Sequence, residues 1–170
     1  MIHVCSLSRL HETVDATGAR HVVSLLARDD RLVRPAAVPP ENHLWLQLHD
    51  ISAPVEGYVT PETSHVESLI DFVQRWPRET PMLIHCYAGV SRSTAAAFVS
   101  VCALNPAGDE KAVAIALRRA SPTATPNIRI VALADQVLGR NGRMVRAVES
   151  IGPGIVAPEA QPFRLELTGH

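Results

Sequence analysis

The sequence predicts an α/β domain: a small, mainly parallel central sheet flanked by helices, with a helical C-terminal half. Three observations carry this. Short apolar runs alternate with helix-period segments in the first part of the chain. One of those runs, Met82 to Ile84, leads through a tight Gly-bearing loop into an Ala-rich helix. Beyond that helix the patterning is almost entirely helical. At 170 residues, 46% hydrophobic and 19% charged, the chain has the size and composition of one domain with a real core.

The elements follow in order. Ile2 to Cys5 is a short β-like segment. Ser6 or Ser8 can cap a helical turn through Arg9, Leu10 and Val14, which Gly18 breaks. His21 to Leu26 is a second apolar strand, followed by a loop from Arg28 to Pro40 with three prolines. His43 to Leu48 is a third strand, with Leu44, Leu46 and Leu48 in alternation. It runs into His49-Asp50-Ile51 and a loop up to Thr60. Thr60-Pro61-Glu62 predicts a helix start: a capping hydroxyl, a proline in the first turn, then an acid near the positive end of the dipole. Val66, Leu69, Ile70, Val73 and Trp76 then share one face.

Pro77 and Pro81 bracket the turn into the fourth strand. The helix after Arg92 runs to about Leu104 and is stopped by Asn105-Pro106-Ala107-Gly108. Asp109 caps a helix through Arg119, and Asn127 opens another that ends near Gly139. A last helix spans Arg143 to Ser150. Residues 153–170 show little periodicity and several Pro and Gly, and are expected to be a loosely held tail after a single domain of residues 1–152. Trp45, Trp76 and Cys102 are expected to serve packing. Arg118 and Arg119 need no role beyond favouring a helix C-terminus.

Composition also excludes classes of function. A formal net charge of −1 gives no bulk support for a nucleic-acid or anionic-membrane partner. No apolar run approaches the roughly 20 residues needed to span a bilayer. The N-terminal residues lack the basic and long apolar regions of a signal peptide. Cys5, Cys86 and Cys102 form no CxxC pair, so no metal site, cofactor site or disulfide framework is expected. A reducing cytoplasm is the expected compartment.

The chemistry concentrates in Pro81 to Thr94. Cys86 ends a buried strand, and Arg92 follows five residues later at the start of a helix. The backbone N–H groups from Tyr87 through Ala88, Gly89, Val90 and Ser91 to Arg92 can turn inward as an anion-binding nest, with the helix N-terminus adding partial positive charge. That field favours a thiolate at Cys86. Arg92 supplies a planar fork for two phosphate oxygens. Gly89 permits backbone angles closed to other residues. Ser91 and Ser93 can bond the sulfur or loop carbonyls, Ser93 being the better placed to stabilise Cys86 as a leaving group. His85 can bond nearby backbone and hold the loop open without acting as a base. The chemistry that follows is attack of Cys86 on phosphorus, with a general acid protonating the leaving oxygen and later activating water.

The run His85-Cys86-Tyr87-Ala88-Gly89-Val90-Ser91-Arg92-Ser93 resembles the signature of the protein tyrosine phosphatase superfamily, and most of all its small dual-specificity and related bacterial members. The resemblance extends at lower resolution from the third strand to Asn127. It implies a phosphotyrosine phosphatase-like fold and a cysteine-dependent phosphatase with a phosphocysteine intermediate. The substrate it implies is a phosphorylated protein or small phosphomonoester, protein phosphotyrosine first, with dual specificity open. It further implies a catalytic aspartate after a strand upstream of the cysteine. Asp50 fits, and Asp29 and Asp30, after the second strand, are the alternatives. Pro126-Asn127 resembles a family feature that packs near the phosphate loop.

The chain departs from the large tyrosine-specific domains in being shorter and lacking an evident tyrosine-recognition loop. No lysine lies in the phosphate loop, which weakens a phosphoinositide substrate. Low-molecular-weight phosphatases and arsenate reductases place their signature near the N-terminus and their acid downstream, the reverse of this order. A rhodanese-type loop usually lacks the Cys-x5-Arg-Ser form. The rival reading is a catalytically weak phosphate-binding module that recognises phosphoproteins. Cys5, if its strand is parallel to the fourth, ends on the side of the loop; it is either a packed strand cysteine or a disulfide partner for Cys86 under oxidation.

Overall fold

A computed structural model describes residues 1–167. Five strands form one sheet: β1 (Ile2–Ser6), β2 (His21–Leu26), β3 (His43–Gln47), β4 (Met82–Cys86) and β5 (Phe163–Leu165). Their order is β3-β2-β4-β1-β5. The first four are parallel, and β5 runs antiparallel against β1. Six helices accompany them: α1 (Leu10–Thr17), α2 (Thr63–Arg75), α3 (Arg92–Leu104), α4 (Glu110–Ala120), α5 (Ile128–Val137) and α6 (Arg143–Ile151).

Parallel strands need cover on both faces, and the period-2 alternation of each strand divides its side chains between two cores. On one face Cys5, Val22 and Leu83 meet Leu10 and Val14 of α1. On the other, Val4, Val23, Ile84 and Cys86 meet the remaining helices. The central helix there is α3, buried from Arg92 to Ala103. Its Ala95-Ala96-Ala97 run presents small side chains, so a helix can lie between the sheet and the outer helices without forcing them apart.

The helix expected from Thr60 begins later, at Thr63. Its N-cap is Glu62, whose side chain accepts from the His65 backbone while His65 Nδ1 accepts from the Glu62 N–H at 3.0 Å. This reciprocal capping box satisfies two groups at once, which the Thr60 hydroxyl does not. Val66, Leu69, Ile70 and Val73 are buried as the periodicity predicts.

Two expectations are corrected. Residues 153–167 are not a loosely held tail. They run back along the domain and supply β5, with Ile2, His3 and Val4 opposite Leu165, Arg164 and Phe163. Residues 168–170 of that expected tail lie outside the described residues. Arg118 also does more than complement a dipole. Its guanidinium donates to the carbonyls of Pro122 (2.9 Å), Ala124 (2.8 Å) and Gly152 (2.7 Å), clasping the loop before α5 to the end of α6. Arg118→Ala is expected to lower unfolding stability by about 2–3 kcal/mol, because the part-buried carbonyls of Ala124 and Gly152 lose a charged donor. Denaturant titration checks this; a loss within about 0.5 kcal/mol, the range of ordinary surface substitutions, contradicts the clasp.

Candidate active site

Ligand sites in open parallel sheets lie beyond the carboxyl ends of the strands, and β4 delivers Cys86 there. Residues 87–91 form the loop, and α3 begins at Arg92. Each loop carbonyl at 87, 88, 90 and 91 is engaged by a flanking segment. Tyr87 O accepts from Leu7 N (3.1 Å), Ala88 O from Ala160 N (2.9 Å), Val90 O from Thr125 N (2.9 Å) and Ser91 O from Asn127 N (3.2 Å). In a trans peptide the N–H points opposite to the carbonyl before it. The amides of Ala88, Gly89, Ser91 and Arg92 are therefore turned the other way, and Gly89 N donates to Cys86 Sγ at 3.3 Å. Gly89 has φ +73°, and a Cβ there would stand 3.0 Å from the Cys5 carbonyl carbon and the Ser6 nitrogen. Glycine is thus required by both backbone angle and space.

Cys86 is buried, and its sulfur lies 3.1 Å from Ser93 Oγ. Arg92 is also buried and is aimed by a bond from one terminal nitrogen to Leu48 O at 3.0 Å. Its Nε has no hydrogen-bond partner among the described residues. An anionic oxygen held by the inward amides would satisfy that donor.

Asp50 is exposed just past β3 and reaches the loop. Its Oδ1 accepts from Ser91 Oγ (2.7 Å) and from Asn127 Nδ2 (2.9 Å), while Asn127 Nδ2 also donates to Ile51 O (3.2 Å). Both side-chain bonds fall on one oxygen, and among the described residues Oδ2 has no hydrogen-bond partner. Asn127 is held in turn as the N-cap of α5, accepting from Ile130 N at 3.1 Å. Asp30 is occupied otherwise: its Oδ2 accepts from Ala27 N at 2.9 Å, a local turn. Asp29 is exposed in the same turn.

His85 is fully buried, and burial pushes its pKa down to about 3, so the ring is neutral and is no base. The expected bond to nearby backbone is not formed among the described residues: His85 Nδ1 has no hydrogen-bond partner, while its Nε2 bonds Ser24 Oγ at 2.6 Å, and Ser24 Oγ also bonds His43 Nε2 at 2.8 Å. Ser24 and His85 are register partners on β2 and β4. Cys5 is the register partner of His85 on the other side and packs in the α1-side core, whereas Cys86 packs in the opposite one. The two sulfurs belong to opposite faces of the sheet, which argues against the disulfide. Burial pushes the Cys5 and Cys102 thiols up to about 12, as suits packed cysteines.

The structure thus ties Cys86, the loop, Arg92, Ser93, Asp50 and Asn127 to one another, and among the described residues no side-chain hydrogen bond joins Asp29 or Asp30 to them. Sequence reasoning missed Ser24 and His43, Leu7, Thr94, Thr125 and the pair Glu159-Ala160. Ser24 alone carried a signal: a polar residue inside an apolar strand.

No family model matches the chain, and no curated protein matches it in sequence. Solved structures do match its shape. PTP-2 phosphatase of Cydia pomonella is 21% identical, with 79% of this chain and 84% of that chain covered at a TM-score of 0.61. Human DUSP28 is 15% identical, covering 89% and 95% at 0.61. PTPMT1, solved in complex with PI(5)P, is 12% identical, covering 82% and 91% at 0.63. The chain has the fold of the small dual-specificity members of the protein tyrosine phosphatase superfamily.

Proposed function

We infer that this chain, built on the dual-specificity phosphatase fold, is a cysteine-dependent phosphatase acting on phosphomonoesters, protein phosphotyrosine first among them. The observation that carries the reading is one loop that joins these groups: its Gly89 amide donates to the Cys86 sulfur, its Ser91 hydroxyl holds Asp50, and it ends at Arg92, whose Nε has no partner among the described residues.

The thiolate of Cys86 attacks phosphorus and forms the S–P bond as the bond to the leaving oxygen breaks. Protonated Asp50 delivers its proton to that oxygen through Oδ2. Arg92 and the amides hold the equatorial oxygens as charge redistributes. Water then attacks phosphorus, Asp50 takes its proton, and the S–P bond breaks. Ser93 Oγ, 3.1 Å from the sulfur, stabilises the departing thiolate. Ser91 and Asn127 hold Asp50 over the site.

A permissive site accords with the rim. Tyr87 is exposed on the loop, and exposed Tyr58 packs edge-on against His49, the residue before Asp50, at 4.7 Å. These rings suit an aryl phosphate better than a compact polar headgroup. The loop from Tyr87 to Ser91 carries no basic side chain, which disfavours a phosphoinositide even though PTPMT1 was solved with one. The reducing cytoplasm remains our proposed compartment, where a thiolate persists. Among the described residues no helix is long and apolar enough to cross a membrane.

The test is hydrolysis of a simple aryl phosphate in the presence of a chelator, followed by kcat/KM for phosphotyrosine peptide, phosphoserine peptide and phosphoinositide. We expect chelator-resistant turnover, vanadate inhibition and the highest kcat/KM on phosphotyrosine. Phosphate binding without turnover would instead favour the phosphoprotein-binding module.

A further inference from the structure

The inward amides depend on outward ties, and the ties are unequal. Val90 O and Ser91 O share the single Thr94 hydroxyl proton, at 2.6 and 3.0 Å from Oγ1, and Ser91 O also accepts from Ala95 N. Among the described residues, Tyr87 O and Ala88 O each accept only one, from Leu7 N and Ala160 N. This first half of the loop also contains Gly89, the residue that tolerates reversal of a neighbouring peptide.

Both single ties lead to the same side chain. The Glu159 carboxylate accepts from the hydroxyls of Ser6 and Ser8, the residues on either side of Leu7. Ala160 follows Glu159 directly and is buried. The segment before them is seated firmly. Gly154 N donates to Thr125 Oγ1 at 3.0 Å and Ile155 N to Pro122 O at 2.9 Å. A Cβ on Gly154 would lie 2.5 Å from the Thr123 carbonyl. Behind them, β5 pairs with β1.

We propose that Glu159 and Ala160 are positioning residues for the phosphate cradle, holding the Tyr87–Ala88 and Ala88–Gly89 peptides with their N–H groups turned toward the ligand. The assignment rests on the phosphatase reading of the cradle. Glu159 touches no reacting atom; it acts through Leu7 and Ala160. Without these ties either peptide can reverse and present a carbonyl to the anion, exchanging an attraction for a repulsion.

The experiment measures inorganic phosphate binding by calorimetry in the full-length Cys86→Ser background, where turnover does not intervene. Glu159→Ala removes the anchor. Ala160→Pro removes the N–H in a segment that already contains Pro158 and Pro162. Each is expected to weaken phosphate binding by about fivefold to thirtyfold, the scale of one or two hydrogen bonds. Glu159→Gln retains an acceptor for both hydroxyls, and Ala160→Gly retains the N–H; both are expected within about twofold of the parent. With Cys86 present, KM and the vanadate inhibition constant should rise by the same factors. A purely structural role would lower Tm in Glu159→Ala and Ala160→Pro while leaving phosphate affinity unchanged, and that result overturns the proposal alone. Should Ala160→Pro fail to fold, Glu159→Ala and Glu159→Gln decide it. Failure of the Cys86→Ser parent to bind phosphate overturns the phosphatase reading, and the positioning role with it.

Discussion

Cys86→Ser is expected to reduce aryl phosphate turnover by at least about 10⁴-fold while leaving Tm and phosphate binding close to those of the parent. Serine nearly conserves the side-chain volume in a buried position, and the cradle depends on the loop amides and Arg92 rather than on sulfur. The hydroxyl is a far weaker nucleophile here, because Asp50 serves as the acid in the first step and neither Ser93 nor His85 serves as a base. Ser93 Oγ is itself a hydroxyl, and His85 is turned away toward Ser24. Retained turnover with retained binding would remove the thiolate from the mechanism.

Asp50→Ala is the second large effect, expected to lower kcat by about 10²–10⁴-fold with a small change in KM, since general acid–base assistance is lost while the cradle is intact. The loss should grow with the basicity of the leaving group: modest for an activated nitrophenyl phosphate, larger for phosphotyrosine peptide, largest for an alkyl phosphate. That gradient separates proton donation from a positional defect, which would affect all three alike. Asp29→Ala and Asp30→Ala should retain full kcat, Asp30 being tied to Ala27 N. A large kcat loss in either would move the acid to the second strand's loop.

The parts of this site that were legible in sequence share one property: their partners are close along the chain or fixed by strand ends. The cradle from Cys86 to Ser93 is contiguous, so its order alone specifies a nest. Asp50 was legible because parallel strands end on one side, which brings the end of β3 near the end of β4. The four parallel strands were visible as apolar runs. β5 was not: Phe163–Leu165 is three residues long, with no room for a period to develop, and it gains its structure from the edge of β1. Glu159 reaches Ser6 and Ser8 across nearly the whole chain, and no local pattern marks such a contact. Arg118 reads as one of two equivalent cations at a helix end; only the folded loop presents it with a ring of carbonyls. Ser24 was visible as a polar residue in an apolar strand, but its ties to His85 and His43 depend on the register of β2 between β3 and β4.

The central claim is that phosphorus passes through a covalent bond to Cys86. The direct measurement is acid quench of an Asp50→Ala variant during turnover of an aryl phosphate, with mass spectrometry of its peptides. Slowed hydrolysis of the intermediate should let it accumulate, and we expect one phosphoryl group on the peptide bearing Cys86 and none in Asp50→Ala/Cys86→Ser. Phosphoryl transfer to another residue, or steady product release with Cys86 unmodified at every quench time, would contradict the account.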